Sequence, residues 1–208
     1  MIYVGLFFIG AVYCINGLWL LGHIDPRSAA PMNLMVGGFL LAVAGFILLP
    51  LNDFGAPTAS TAMFSSVGVV LFAFTFLNVG IKNYTNDTGS GFGWYCGWAF
   101  IVSLGIALLS IFQYGDFKGA SQWGVWSVVF AALFALGILK IDRLTRATGW
   151  FFVVAGFTTC FFPGALQILG YWQAIPAWYI GVSCLATVFV FLLLILNARR
   201  SAQPDEIA

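Results

Sequence analysis

Residues 2–21 read IYVGLFFIGAVYCINGLWLL, a run of 20 residues without Asp, Glu, Lys, Arg or His. A helix needs about 20 apolar residues to cross the ~30 Å hydrocarbon core of a bilayer. Six more apolar runs follow, and every gap between them is short. The seven runs are 2–21, 32–49, 63–81, 93–112, 123–139, 149–169 and 177–196. The sequence therefore predicts an all-α integral membrane protein with seven transmembrane helices.

The composition points to the same class of protein. Hydrophobic residues make up 62% of the chain and charged residues only 7%, whereas soluble domains average about 25% charged residues. The short gaps leave no room for a soluble domain. Any function must therefore be built from the spans and the loops that connect them.

The basic residues predict the orientation in the membrane. Seven of the eight Lys and Arg residues lie in or beside the first, third and fifth gaps or in the tail, and only Lys118 lies in an even-numbered gap. Cytoplasmic loops collect Lys and Arg. The bias predicts an N-terminus outside and a C-terminus in the cytoplasm. The seven residues are Arg27, Lys82, Lys140, Arg143, Arg146, Arg199 and Arg200.

The first run could also be interpreted as a secretory signal, because Ser28, Ala29 and Ala30 offer a small-residue cleavage site. A signal peptide carries a basic region ahead of a short apolar core. Here Met1 leads directly into the apolar run. The sequence therefore favours a retained first helix.

Several function classes are excluded by residues that the sequence lacks. His23 is the only histidine, so ligation of haem by two histidines is impossible. The last run contains no lysine that could form a retinal Schiff base. The cysteines lie inside the runs without metal-ligand spacing; they are Cys14, Cys96, Cys160 and Cys184. We therefore expect no metal, no cofactor and no nucleic-acid partner.

No charged residue lies near the centre of a predicted span, where ionisable groups mark ion or proton pathways. No nucleophile and base arrangement is visible either, so we expect passive conduction of a neutral solute and not catalysis. The uncharged polar residues in the spans are Asn16, Thr75, Asn78, Ser127, Thr158, Thr159 and Gln167. An unpaired amide in an apolar surrounding costs ~2 to 7 kcal/mol. Asn16 and Asn78 must therefore bond either to a neighbouring helix or to water or solute.

Two stripes recur at helical spacing. The first run carries Ile2, Leu6, Ile9, Tyr13 and Asn16, and the fifth carries Trp123, Ser127, Phe130 and Phe134. Such stripes usually pack against another helix. Periodicity alone therefore favours packing over a pore.

Specific motifs now point to a family. Residues 16–38 contain NG at 16–17, IDPRS at 24–28, MN at 32–33 and VGG at 36–38. This pattern resembles the AmiS/UreI family of bacterial urea and short-chain amide channels. Further similarities are FTFL at 74–77, the aromatic spacing from Trp123 to Phe134, and FP at 162–163. The motif residues carried over are Asp25, Pro26, Ser28, Met32, Asn33, Gly37 and Gly38.

The resemblance implies an architecture as well as a function. It covers residues 1–170 as a six-helix channel domain built from two inverted three-helix repeats. Residues 171–198 form an additional seventh helix outside the pattern, and residues 199–208 a polar cytoplasmic tail. The resemblance further implies a homo-hexamer in the lipid of the bacterial plasma membrane, with a pore in each protomer.

The resemblance also implies a pore lining. The matching positions are Ile2, Leu6, Ile9, Tyr13, Asn16, Phe74, Asn78, Trp123, Ser127, Phe130, Leu133, Phe134 and Ala155. The urea channel carries tryptophans where Ser127, Phe130 and Phe134 lie, and a tyrosine at Asn78. Its pore glutamate aligns with Ala155. These departures favour short-chain aliphatic amides such as acetamide over urea alone.

The outward gaps contain no histidine, the side chain that titrates near about pH 5 to 8. We therefore expect a channel that is not acid-gated. The alternative is a membrane sensor or assembly subunit that transports nothing and whose aromatic stripes bind a partner helix.

Overall fold

The computed structural model of the protein describes residues 1–51 and 57–200. Residues 52–56 of the second predicted gap, with Asn52 and Asp53, lie outside the described residues. The predicted tail begins inside the last helix, at Arg199 and Arg200, and its residues 201–208 also lie outside.

Helices make up almost all of the described chain. They are α1 (Ile2–Leu20), α2 (Pro26–Leu48), α3 (Pro57–Thr85), α4 (Ser90–Phe112), α5 (Phe117–Gly137), α6 (Thr145–Ala155), α7 (Phe162–Ile168) and α8 (Ala177–Arg200). Short 3₁₀ helices cover Asp142–Leu144 and Trp172–Ala174. In the described residues, seven segments are long and apolar enough to cross a membrane. The predicted seven apolar helices are confirmed.

The sixth of these segments, Asp142–Ile168, contains a break in its regular winding. A π-helical segment, Gly156–Phe161, separates α6 from α7. Pro163 follows at the start of α7. Proline carries no N–H, so it cannot give the carbonyl of Thr159 the usual i+4 hydrogen bond. The irregular winding and the missing N–H of Pro163 therefore occur at the same place.

Close packing joins the first six spans in three pairs. These pairs are α1 with the sixth span, α2 with α3, and α4 with α5. Two inverted three-helix repeats would make the contact of α2 with α3 equivalent to that of α5 with the sixth span. However, α5 and the sixth span make far fewer contacts than α2 and α3. The predicted repeats are therefore not reflected in the helix packing.

Glycines allow the close approach within these pairs, because small residues let helix backbones touch. A Cβ added at Gly10 of α1 would lie 2.9 Å from the carbonyl oxygen of Gly156 in the sixth span. At Gly137 of α5, a Cβ would lie 3.1 Å from the Cα of Gly93 in α4. The paired helices meet backbone to backbone.

Helix α8 covers the seam between α5 and the sixth span. The ring of Phe191 stacks on Phe151, with 4.3 Å between centroids. The hydroxyl groups of Thr158 and Thr187 lie 3.0 Å apart. The seventh span thus covers the side of the bundle where the backbones of two neighbouring spans lie farther apart than in the close pairs.

Candidate functional site: two cavities separated by an aromatic layer

A large cavity opens at the end of the bundle where α1 and α5 begin. Its volume is about 620 Å³. We call it the Gln122 cavity. The lining residues used below are Ile2, Leu6, Ile9, Phe72, Asp116, Gln122, Trp123, Trp126 and Gln173.

A second cavity of about 220 Å³ opens at the opposite end of the bundle, and we call it the Asn16 cavity. Lys82, Lys140 and Asp142 line its mouth. The ammonium group of Lys82 lies 5.4 Å from the ring centroid of Trp19. The deeper lining residues used below are Tyr13, Asn16, Thr75, Phe76, Phe130 and Leu133.

An aromatic layer separates the two cavities. It consists of Tyr13, Phe72, Phe76, Trp126 and Phe130, each at most 6% exposed. The ring centroid of Phe72 lies 4.9 Å from Trp126 and 5.9 Å from Phe130. Tyr13 meets Phe76 at 6.2 Å. Phe72 and Trp126 line the Gln122 cavity, and Tyr13, Phe76 and Phe130 line the Asn16 cavity, so the layer lies between the two.

Thr159 in the π-helical segment fixes the α5 side of the layer. The Nε1–H of Trp126 donates to the hydroxyl of Thr159 at 2.9 Å. The Nε2 of Gln122 donates to the carbonyl of Thr159 at 2.7 Å. This carbonyl is the one that Pro163 leaves without its usual partner. The break in the sixth span therefore holds two side chains of α5 in place.

A reciprocal pair of amides fixes Asn16. The Nδ2 of Asn16 donates to Oδ1 of Asn33 at 3.0 Å, and the Nδ2 of Asn33 donates back at 2.7 Å. Asn33 also donates to the carbonyl of Ala29 at 2.9 Å, which fixes which atom of its amide is nitrogen. Each Asn amide has two N–H groups and two acceptor positions. Asn16 therefore keeps one donor and one acceptor for the cavity that it lines.

Eight of the predicted pore residues line the cavities. Ile2, Leu6, Ile9 and Trp123 line the Gln122 cavity, and Tyr13, Asn16, Phe130 and Leu133 line the Asn16 cavity. The predicted stripe on α1 thus runs past both cavities along one helix face.

Two predicted pore residues of α3 lie elsewhere. Phe74 is 47% exposed on the outer face of the bundle, where it contributes to a shallow apolar surface with Met63 and Trp98. Asn78 is also exposed, and its amide donates to the carbonyl of Phe74 at 2.8 Å. Neither residue lines the Gln122 cavity or the Asn16 cavity. This bond satisfies one N–H of the Asn78 amide within its own helix.

Three further predicted pore residues pack between helices and line neither cavity. Ser127 is buried and donates to the carbonyl of Gly124. Phe134 packs against Gly97 of α4. Ala155 is fully buried in α6.

The motif residues at 25–38 build the contact of α2 with its neighbours. Asp25 caps α2, since its carboxylate accepts the N–H of Ser28 at 2.9 Å. Hydrogen bonds from Ser28 hold the pKa of Asp25 below its usual range. Pro26 is the first residue of the helix, a position where its missing N–H costs nothing.

The rest of the motif serves packing. Met32 packs against the core, and Asn33 holds Asn16. A Cβ added at Gly37 would lie 3.0 Å from the carbonyl of Ala73 in α3. Gly38 faces open space, with nothing within 4 Å of an added Cβ.

Sequence reasoning missed Phe72, Phe76, Gln122 and Trp126. On α5 the residues Trp123, Trp126, Phe130 and Leu133 recur at spacings of three and four, so a heptad pattern could have identified Trp126. Gln122 carried no comparable signal, because its role depends on a carbonyl in another span. Within the described residues, no group of His, Cys, Asp and Glu side chains could hold a metal ion.

The chain is similar to known membrane transporters in sequence and in structure. A family model described as AmiS/UreI family transporter matches residues 1–171, which end before α8. A Mycolicibacterium smegmatis protein named as a transporter of amidate substrates is 36% identical, over 97% of this chain and 92% of its own. A Rhodococcus erythropolis protein named as transporter protein AmiS2 is 32% identical, over 97% and 96%. The Helicobacter pylori urea channel in its closed state superposes with a TM-score of 0.72 at 26% identity, covering 83% of this chain and 100% of that one.

Proposed function

Because the chain belongs to the AmiS/UreI family of transporters, we propose that it is a passive channel for small neutral amides and urea. The family resemblance inferred from residues 16–38 is thereby confirmed. The chain is a multi-pass membrane protein of a transporter family and not an enzyme. The observation that carries the proposal is the pair of cavities that approach one aromatic layer from opposite ends of the bundle.

The aromatic layer supports selection against ions. Its five side chains carry no charge, and no ring of carbonyls is available there to replace a hydration shell. An ion would lose its water without compensation on entering the layer. A neutral solute loses far less, so an open path would leave the membrane potential intact.

The same layer suits a planar amide. A flat carboxamide can stack on the rings of Phe72 and Phe130 while it is dehydrated. Asn16 offers its spare donor and acceptor beyond the rings, and Thr75 lines the same cavity. Hydrogen bonds to water are thereby exchanged for bonds to the protein, one at a time.

Short-chain aliphatic amides are the preferred solutes in this proposal. The relatives that match over 97% of the chain include one named for amidate substrates. The apolar rings of Phe72 and Phe130 offer an alkyl group a favourable contact that urea cannot use. Urea remains a second solute, consistent with the structural similarity to the urea channel.

We also propose an orientation in the membrane and an oligomeric state. The bias of Lys and Arg favours an N-terminus outside, so that the Gln122 cavity faces outward and the Asn16 cavity faces the cytoplasm. We place the protein in the bacterial plasma membrane as a homo-hexamer, on the strength of its family. The many exposed apolar side chains of the described protomer fit contact with lipid or with other copies.

The proposal includes no acid gate. The described residues that line the Gln122 cavity contain no histidine. The carboxylate of Asp116 in this cavity caps α5 by accepting the N–H of Gly119 at 2.9 Å. The carboxylate of Asp116 thus stabilises the N-terminus of α5.

The test is solute flux through purified protein in liposomes. We expect rapid acetamide and urea entry, without a change in membrane potential and nearly constant between about pH 5 and 8. Protein-free liposomes are the control. Flux no faster than this control would favour the sensor or assembly subunit, and a steep increase on external acidification would overturn the ungated mechanism.

A further inference from the structure

Gln122 is the one glutamine of α5 and lies at the deep end of its cavity, next to the aromatic layer. It is 5% exposed and lines the Gln122 cavity together with Trp123 and Trp126. A buried side-chain amide is costly unless its polar atoms are paired. The hydrogen bonds of this amide therefore indicate what it does.

Only the nitrogen of this amide has a partner among the described residues. Its Nε2 donates to the carbonyl of Thr159 at 2.7 Å. Because that partner is an acceptor, the bonded atom must be the nitrogen, and the orientation of the amide is fixed. Oε1 accepts no hydrogen bond from the described part of the chain. It is not fully buried either, so part of its surface stays accessible. The oxygen is thus accessible from the cavity.

The neighbouring polar group on α5 is already used. The Nε1–H of Trp126 donates to the hydroxyl of Thr159, so the indole offers the cavity only its ring. The ring of Trp123 meets that of Trp126 edge to face, with 4.8 Å between centroids. Oε1 of Gln122 is therefore an acceptor placed beside aromatic surface.

We propose that Oε1 of Gln122 is a docking site for solute N–H groups at the outer side of the aromatic layer, and that Thr159 and Pro163 position it. Its ligands are solutes with a carboxamide or urea group. Oε1 accepts a hydrogen bond from their N–H groups before the solute loses its water at the aromatic layer. Asn16 receives the solute on the other side. The inference rests on the proposed channel function and adds the residue that selects the amide nitrogen.

The positioning has a simple physical origin. Pro163 follows Thr159 by four residues and carries no N–H, so it donates nothing to the carbonyl of Thr159. The side chain of Gln122 donates to that carbonyl. A proline in one span thus orients an amide in another.

The test compares two glutamines of the same cavity in liposome flux. Gln173 also lines it but is exposed, so Gln173→Leu is the matched control for Gln122→Leu. The probes are acetamide, which has two N–H groups, and N,N-dimethylacetamide, which has none. We expect Gln122→Leu to lower acetamide permeability about tenfold and to leave that of the dimethyl amide unchanged. Gln173→Leu should leave the ratio of the two permeabilities at the parent value.

A second variant separates docking from folding. Gln122→Leu leaves the carbonyl of Thr159 without its side-chain donor, whereas adding Pro163→Ala restores a backbone N–H that can reach it. The double variant should regain thermal stability in detergent and still lack the preference for acetamide.

Equal losses for both probes, or recovery of the acetamide preference in the double variant, would show that Gln122 only supports the fold. Acetamide flux through Gln122→Leu equal to that of the parent would overturn the docking site while the channel function stands. No flux through the parent would overturn both.

Discussion

Asn16 and Asn78 carry the same side chain in predicted spans, and the structure gives them different surroundings. Asn16 is buried, bonded across to α2 and in contact with a cavity. Asn78 is exposed and bonds back to its own helix. A polar residue in a membrane span is therefore not by itself evidence of a pore, because an amide can satisfy part of its bonding one turn away.

This difference gives a prediction with a matched control. Asn16→Leu removes the donor and acceptor that face the Asn16 cavity, so acetamide crosses unpaired at an added cost of about 1 to 3 kcal/mol, or about 5- to 150-fold in rate. Asn78→Leu makes the same chemical change on the outer face and should leave the rate unchanged. Stopped-flow measurement of acetamide entry into liposomes checks both variants. If acetamide entry were slower through Asn78→Leu and occurred at the parent rate through Asn16→Leu, the sequence-based pore assignment would be restored.

A double variant separates flux from stability at this pair. Asn16→Leu alone leaves the buried amide of Asn33 without its partner, a loss of about 1 to 3 kcal/mol in folding free energy. Changing both residues to leucine removes the unpaired group and should recover most of that stability. The acetamide flux should remain low, since the groups that face the solute are still absent.

At the scale of the helix, sequence reasoning identified the spans but not always the face that they bury. The stripe on α1 from Ile2 to Asn16 lies along the cavities, whereas Phe74 of α3 faces outward. In a soluble helix the polar side marks the surface. In a membrane helix lipid and core are both apolar, so periodicity does not tell them apart.

Contacts between helices were the other part that the sequence did not reveal. Gln122 and Trp126 depend on Thr159, more than thirty residues away along the chain. The signal for this contact is a proline that frees a carbonyl, and it has meaning only once the two helices are known to be neighbours.

The close pairing of α1 with the sixth span gives a prediction at this scale. In Gly10→Ala the new methyl group would meet the backbone at Gly156 and Phe161, both 2.9 Å away. Backbone cannot rotate aside, so the helices must separate, at a cost of about 1 to 3 kcal/mol in folding free energy. Thermal unfolding in detergent should show the loss.

Gly38→Ala is the control for this change. Nothing lies within 4 Å of a Cβ at Gly38, and alanine favours a helix over glycine by up to about 1 kcal/mol. The variant should be as stable as the parent or slightly more so. A Gly10→Ala variant as stable as Gly38→Ala would mean that Gly10 makes no close backbone contact and that only helix propensity changes.

At the scale of the whole molecule, three closely packed helix pairs surround the two cavities and the aromatic layer. The seventh span covers the weak seam between α5 and the sixth span. Hydropathy predicted the number of spans because the bilayer sets their length. It did not predict the pairing, which depends on glycines that face one another across the bundle.

The measurement that tests the central claim most directly is the size selectivity of two variants one turn apart on α5. Phe130 belongs to the aromatic layer and is 1% exposed, whereas Phe134 packs against α4 outside both cavities. We predict that Phe130→Ala raises the permeability of butyramide relative to acetamide in liposomes, and that Phe134→Ala leaves this ratio at the parent value. A ratio raised by Phe134→Ala and unchanged by Phe130→Ala would contradict passage of solutes through the aromatic layer.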